Sequence, residues 1–115
     1  EVTVTPVPLM HGDLPILGYR VGNLAYLTDC SAIPDASYPL LNGLHTLIID
    51  GLRPRPHHTH FSIDQAIDEV RRIRPTQAFL THLTHDVDHE TVNRTLPDNI
   101  QLAFDGLRVT VPGTG

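Results

Sequence analysis

The sequence predicts an α/β domain with one core, on three observations. Two short apolar runs, TLIID (46–50) and QAFLTHL (77–83), are continuous rather than alternating, as in strands buried on both faces. Between them Ile63, Ala66, Ile67, Val70 and Ile73 recur at the spacing of one helix face. The chain has 115 residues, 40% of them apolar, which suits a single domain with one hydrophobic core.

Each element has a local reason. Residues 2–9 set Val2, Val4 and Val7 among polar neighbours as a first strand. ILGYRVG (16–22) and LAYLTD (24–29) follow as two apolar runs parted by Gly22-Asn23, a hairpin turn pair, so a three-strand meander is expected. Pro34 and Pro39 bracket a loop, and SYPLLNGL (37–44) forms a short helix closed by Gly43. TLIID is the fourth strand. GLRPRPHHTH (51–60), with two prolines and a histidine cluster, is a loop leaving that strand's end. Ser62 followed by Gln65 is a capping box that opens the helix, and Pro75 stops it after Arg74. QAFLTHL is the fifth strand, HETVNRTL (89–96) a short helix, and IQLAFDGLRVTV (100–111) a final hairpin turning at Asp105-Gly106.

Composition narrows the function. No apolar run approaches the roughly 18 residues of a membrane span, so no membrane partner is expected. The opening EVTVTPVPLM lacks the basic segment of a signal peptide and does not begin with Met, which reads as an interior start of a longer chain. The single cysteine, Cys30, makes no internal disulfide and fits a reducing cytoplasm. The net charge is −5, and all eight basic residues are arginine. That offers no basic face for general nucleic-acid binding and points to a small substrate instead.

Eight histidines are more than packing needs. His11 follows the first strand, Asp29 ends the third, His57, His58 and His60 follow the fourth, and His82 and His85 follow the fifth. Imidazole and carboxylate at four strand ends is the mixture a transition-metal site uses. Each residue also has a plainer reading. Asp29 suits a turn, His11 an exposed turn, and the 57–60 histidines an exposed loop, while His85 and His89 suit the surface. His82 stands apart, because a strand of buried character leads straight into it. Residue types alone leave the metal site and the plainer readings both open.

The segments PLMHGDLPILGYRVGNLAYLTDCSAIP, LIIDGLRPRPHHTHFSIDQAI, FLTHLTHD and LPDNIQLAFDGLRV resemble the C-terminal half of the metallo-β-lactamase superfamily. More narrowly they resemble the phosphoribosyl 1,2-cyclic phosphate phosphodiesterases of bacterial phosphonate degradation. The resemblance covers nearly the whole chain and implies a mixed sheet with helices on one face, half of an αβ/βα sandwich. Residues 1–115 are then a single half-domain.

The family pattern carries over position by position. The histidine of its P-L-x-H segment falls on His11, the bridging aspartate of L-S/T-D on Asp29, and the last ligand, first in L-T-H-I/L-x-H, on His82. A histidine at the start of the helix after the fourth strand, a catalytic acid or phosphate contact, falls on His60. His85 matches a histidine common in the subfamily and is assigned either to substrate contact or to supporting the ligands from behind. Arg53 and Arg55 lie in the loop beside His60 and suit a substrate phosphate as planar forks.

The family's main metal motif, H-x-H-x-D-H, is absent from the sequence. His11 and Asp29 would serve one ion and Asp29 and His82 the other, two protein ligands each, which hold a catalytic metal weakly. The resemblance therefore implies a dinuclear Zn or Mn hydrolase in the complete enzyme, with this chain alone inactive and not required to hold any metal. In it, metal-bound hydroxide attacks a cyclic or ribosyl phosphodiester and His60 protonates the departing oxygen. The missing N-terminal half, or a second copy, is the expected partner of an exposed apolar face. Two alternatives remain: a relative that processes tRNA 3′ ends, and a non-catalytic half-fold module for binding or assembly.

Overall fold

The computed structural model describes residues 3–27, 30–50, 61–81 and 96–103. Six strands form one sheet in chain order: β1 (Val4–His11), β2 (Leu14–Val21), β3 (Leu24–Leu27), β4 (Thr46–Asp50), β5 (Gln77–Thr81) and β6 (Ile100–Leu102). The first three pair antiparallel as the expected meander, and β3 to β6 pair parallel. Both hairpins turn on a glycine with positive φ, Gly12 at 60° and Gly22 at 57°. Glycine at the first central position suits the tight two-residue connections whose twist matches the strands.

β1 is longer than expected, ending at His11 rather than Leu9, because the turn is made by Gly12 and Asp13. His11 is thus part of the strand and pairs with Leu14. Strand β2 likewise begins at Leu14, two residues early. The short helix is a 3₁₀ helix over Asp35–Leu41, directly after Pro34, so the loop expected between Pro34 and Pro39 does not exist. Pro39 lies inside it, and Asn42 is already extended before Gly43 adopts φ 73°. Arg20 satisfies the carbonyls left open there, donating to Leu40 O at 2.9 Å and Asn42 O at 2.6 Å.

Helix α1 (Ile63–Ile73) starts as the sequence predicts. Ser62 Oγ accepts from Gln65 N at 3.2 Å while Gln65 Oε1 accepts from Ser62 N at 2.9 Å, the reciprocal capping box. Arg74 closes it in the left-handed region at φ 60°, ahead of Pro75. The 3₁₀ helix is latched to α1: the Tyr38 hydroxyl donates to the Glu69 carboxylate, and the Arg72 guanidinium lies 3.7 Å over the Tyr38 ring.

Strand alternation divides the sheet. On one face Val7, Leu9, Ala25, Leu27, Leu47, Ile49, Ala78, Leu80, Ile100 and Leu102 are buried and share one core with Leu41, Ile63, Ala66 and Val70 of the two helices. The other face of β1 to β3 carries Val4, Leu17, Tyr19 and Tyr26, all about half exposed, with Tyr19 paired to Tyr26 and Val4 to Val21. The mixed sheet with helices on one face, and an apolar second face, is as expected.

Among the described strands β1 has one neighbour. Its even-numbered residues turn their backbone groups away from β2, since Met10 N donates to Ala32 O at 3.0 Å and Pro8 O accepts from Ser37 Oγ at 2.6 Å. Pro6 and Pro8 share that parity, so two of the four outward positions of β1 carry no donor, and Met10 uses its own on Ala32.

The single strand expected over 77–83 is described as far as Thr81. Beyond it, the helix expected over 89–96 (except Leu96) and the hairpin turn at Asp105-Gly106 lie outside the described residues. Among the described residues no helix is long and apolar enough to cross a membrane.

Candidate metal centre

Because β2 runs against both β1 and β3, β1 points the same way as β3, and the parallel pairings extend that direction to β6. The C-terminal ends of β1, β3, β4 and β5 therefore share one edge of the sheet, where ligands collect in open α/β sheets. His11 ends β1, Asp50 ends β4, and Thr81 ends β5 in register with Asp50. In sequence, Asp29 comes two residues after β3 and His82 one residue after β5.

A flat sheet would hold these ends apart, with β1 and β4 separated by about 14 Å at three strand spacings. Residues 30–32 cross that gap. Cys30 N donates to Asp50 Oδ2 at 2.8 Å, and Cys30 O accepts from Phe61 N at 3.0 Å. The next residue holds β1, with Ser31 N donating to Met10 O at 2.8 Å and Ser31 Oγ accepting from Gly12 N at 2.9 Å. Two consecutive residues thus tie the end of β4 and the entry to α1 to both chain neighbours of His11. Cys30 itself is buried and free of disulfide, its thiol 3.5 Å from Leu27 O.

Asp50 is fully buried. A buried carboxylate is costly unless it accepts hydrogen bonds, and the Cys30 amide supplies one. Neither Asp50 nor Ser31 stands out in the sequence, although a carboxylate closing an otherwise apolar strand was the available signal for Asp50.

Of the expected site residues, His11 is described and is half-buried at the end of β1, on the side of Val7 and Leu9. Asp29, Arg53, Arg55, His60, His82 and His85 lie outside the described residues, as do His57, His58 and His89. Among the described residues no three metal-ligating side chains come together.

A family model for the beta-lactamase superfamily domain matches residues 1–83, well over half of the chain. The chain belongs to this superfamily. Within it, a diphosphatase of the PhnP family superposes with a TM-score of 0.94 at 45% identity, over 96% of this chain and 44% of its own. Two more distant structures show the same fold. The short form of human tRNase Z has a TM-score of 0.77 at 20% identity, over 97% of this chain and 44% of that one. The metallo-β-lactamase fold protein YhfI from Bacillus subtilis has a TM-score of 0.74 at 19% identity, over 92% and 48%. An octanoyltransferase of Porphyromonas gingivalis is 38% identical over 117 residues, which span all of this chain and 24% of that protein. The chain thus spans less than half the length of these structural relatives and about a quarter of the curated one.

Proposed function

We propose that this chain is the C-terminal half-domain of a dinuclear metal-dependent hydrolase that cleaves a phosphodiester, with a cyclic or ribosyl phosphodiester as the substrate class. The observation that carries the reading is the likeness to the PhnP-family diphosphatase, at 45% identity over 96% of the chain. The donor chemistry fits. Imidazoles at His11 and His82 with a carboxylate at Asp29 suit Zn and Mn, and the edge that β1, β3 and β5 share brings their strand ends to one side of the sheet. Those three residues would hold the ions, with the remaining ligands supplied from outside residues 1–115.

When bound, such ions lower the pKa of water for attack on phosphorus and offset charge on the phosphoryl oxygens. His60 donates a proton to the departing ester oxygen, and Arg53, Arg55 and His85 orient the phosphate by charge-assisted hydrogen bonds. A diphosphate linkage is the second reading, favoured by the activity named for the PhnP-family neighbour. The likeness to tRNase Z supports a nuclease less, since it rests on the fold at 20% identity. The transferase name belongs to a protein of which three quarters lies outside the match.

The test is metal analysis of the full-length protein beside turnover of a cyclic ribosyl phosphodiester, a diphosphate-linked substrate and a tRNA precursor. About two Zn or Mn per chain, with the cyclic phosphodiester cleaved fastest and activity lost in His11→Ala, Asp29→Ala and His82→Ala, is the expected result. Unchanged cleavage in all three variants sinks the ligand assignment. A metal-free, inactive protein leaves the assembly module as the better reading.

A further inference from the structure

We propose that Asp50 is a positioning residue for the metal centre, acting through the Cys30 amide on the carboxylate of Asp29. The inference rests on the metal reading above and adds to it a residue outside the proposed ligand set of His11, Asp29 and His82. Three observations support it. Asp50 closes a strand whose other residues are Thr and aliphatic, and its side chain is wholly buried at the sheet edge where His11 ends β1. Its Oδ2 accepts from Cys30 N at 2.8 Å, across 20 residues of sequence. That amide belongs to the peptide bond whose carbonyl carbon is Asp29's own, so the bond fixes the backbone immediately beside the proposed bridging ligand.

The opposite side of the same residue is fixed too, because Cys30 O accepts from Phe61 N at 3.0 Å. Phe61 follows His60, the proposed proton donor, so Cys30 is anchored between the strand end at Asp50 and the helix entry. A carboxylate is suited to this position. As a charged acceptor it makes a stronger bond to a backbone N–H than a neutral oxygen does, and burial keeps water from competing for that N–H. Groups that orient metal ligands from behind typically alter metal affinity roughly 10–100-fold when removed.

The experiment is a double-mutant cycle on the full-length protein, reading the dissociation constant for Zn²⁺ by competition with a chromophoric chelator. Asp50→Ala is expected to weaken Zn²⁺ binding about 10–100-fold, with Asp50→Asn intermediate because its amide oxygen still accepts from Cys30 N. In the Asp29→Ala background Asp50→Ala is expected to cause no further loss, since the carboxylate it positions is gone. A structural role would give the same loss in both backgrounds, and that result, or an unchanged affinity in Asp50→Ala alone, overturns the inference while leaving the metal reading intact. Wild-type affinity in Asp29→Ala overturns both. Where Asp50→Ala fails to fold, the same cycle is run with Asp50→Asn, and additivity there is equally decisive against it.

Discussion

Gly18 is the position where one added methyl group tests the packing behind His11. It lies on β2, buried, pairing with Val7. A Cβ there would sit 2.7 Å from Leu27 Cδ2, 2.8 Å from Leu9 Cδ1 and 2.8 Å from the Tyr26 carbonyl oxygen. Ordinary contacts between carbon atoms are about 3.5–4.0 Å, so the two leucine contacts fall short by roughly 1 Å. Leu9 and Leu27 are fully buried, and the third contact is backbone in the β2–β3 ladder, which side-chain rotation cannot relieve. Overpacking of this kind costs about 1–3 kcal/mol. The lower entropy of the unfolded alanine chain returns about 0.4–1 kcal/mol. Gly18→Ala is therefore expected to destabilise by about 1–2 kcal/mol, seen as a urea midpoint lowered by roughly 0.5–1 M at unchanged slope. An unchanged or higher midpoint would refute the reasoning, because it would mean that the β2–β3 ladder admits a methyl group without strain.

Three other outcomes follow from local contacts. Ser62→Ala removes the cap of α1 and should cost about 1 kcal/mol in denaturant unfolding, with Ser62→Asp retaining most of it. Burial and the neighbouring Glu69 raise the Tyr38 pKa, so one of the three tyrosines should ionise only above the usual value of about 10. The stabilisation linked to that neutral hydroxyl is full below about pH 10 and is lost as pH rises through the folded-state pKa; ultraviolet difference absorbance should show a late step that Tyr38→Phe abolishes. We expect the 115-residue chain to self-associate through the half-exposed apolar face of β1 to β3; replacing Tyr19 and Tyr26 by serine should then leave it monomeric in sedimentation analysis, and an equally associated variant would show that another surface is responsible.

The sequence was most informative where one local rule governs an element. The capping box at Ser62 and Gln65, the stop at Pro75 and the turn at Gly22-Asn23 each depend on a few neighbouring residues, and each is found in place. Reading failed where the reason is distant. The extension of β1 to His11 depends on pairing with Leu14 and on Ser31 holding Met10 and Gly12, neither visible as a period in residues 2–9. The 3₁₀ helix begins at Asp35 because its end is held by Arg20 from β2 and its Ser37 by Pro8 of β1. For the site, residue types identified His11 as a candidate, and the shared strand direction accounts for its place at the ligand-gathering edge. Asp50 is not legible as a site residue because an aspartate at a strand end is ambiguous until the amide it accepts from is known.

The two prolines of β1 decide how this sheet can meet another molecule. An exposed strand edge ordinarily recruits further strands through its free amides, the route to edge-to-edge polymers and fibrils. Here the outward positions 6 and 8 carry no N–H, and Met10 spends its own on Ala32. Growth by strand addition is hindered along residues 6–10 of β1, while the tyrosine-bearing face beside it stays open. The molecule is therefore stacked upon more readily than extended from that side, which favours a finite pair of sheets over an endless ribbon.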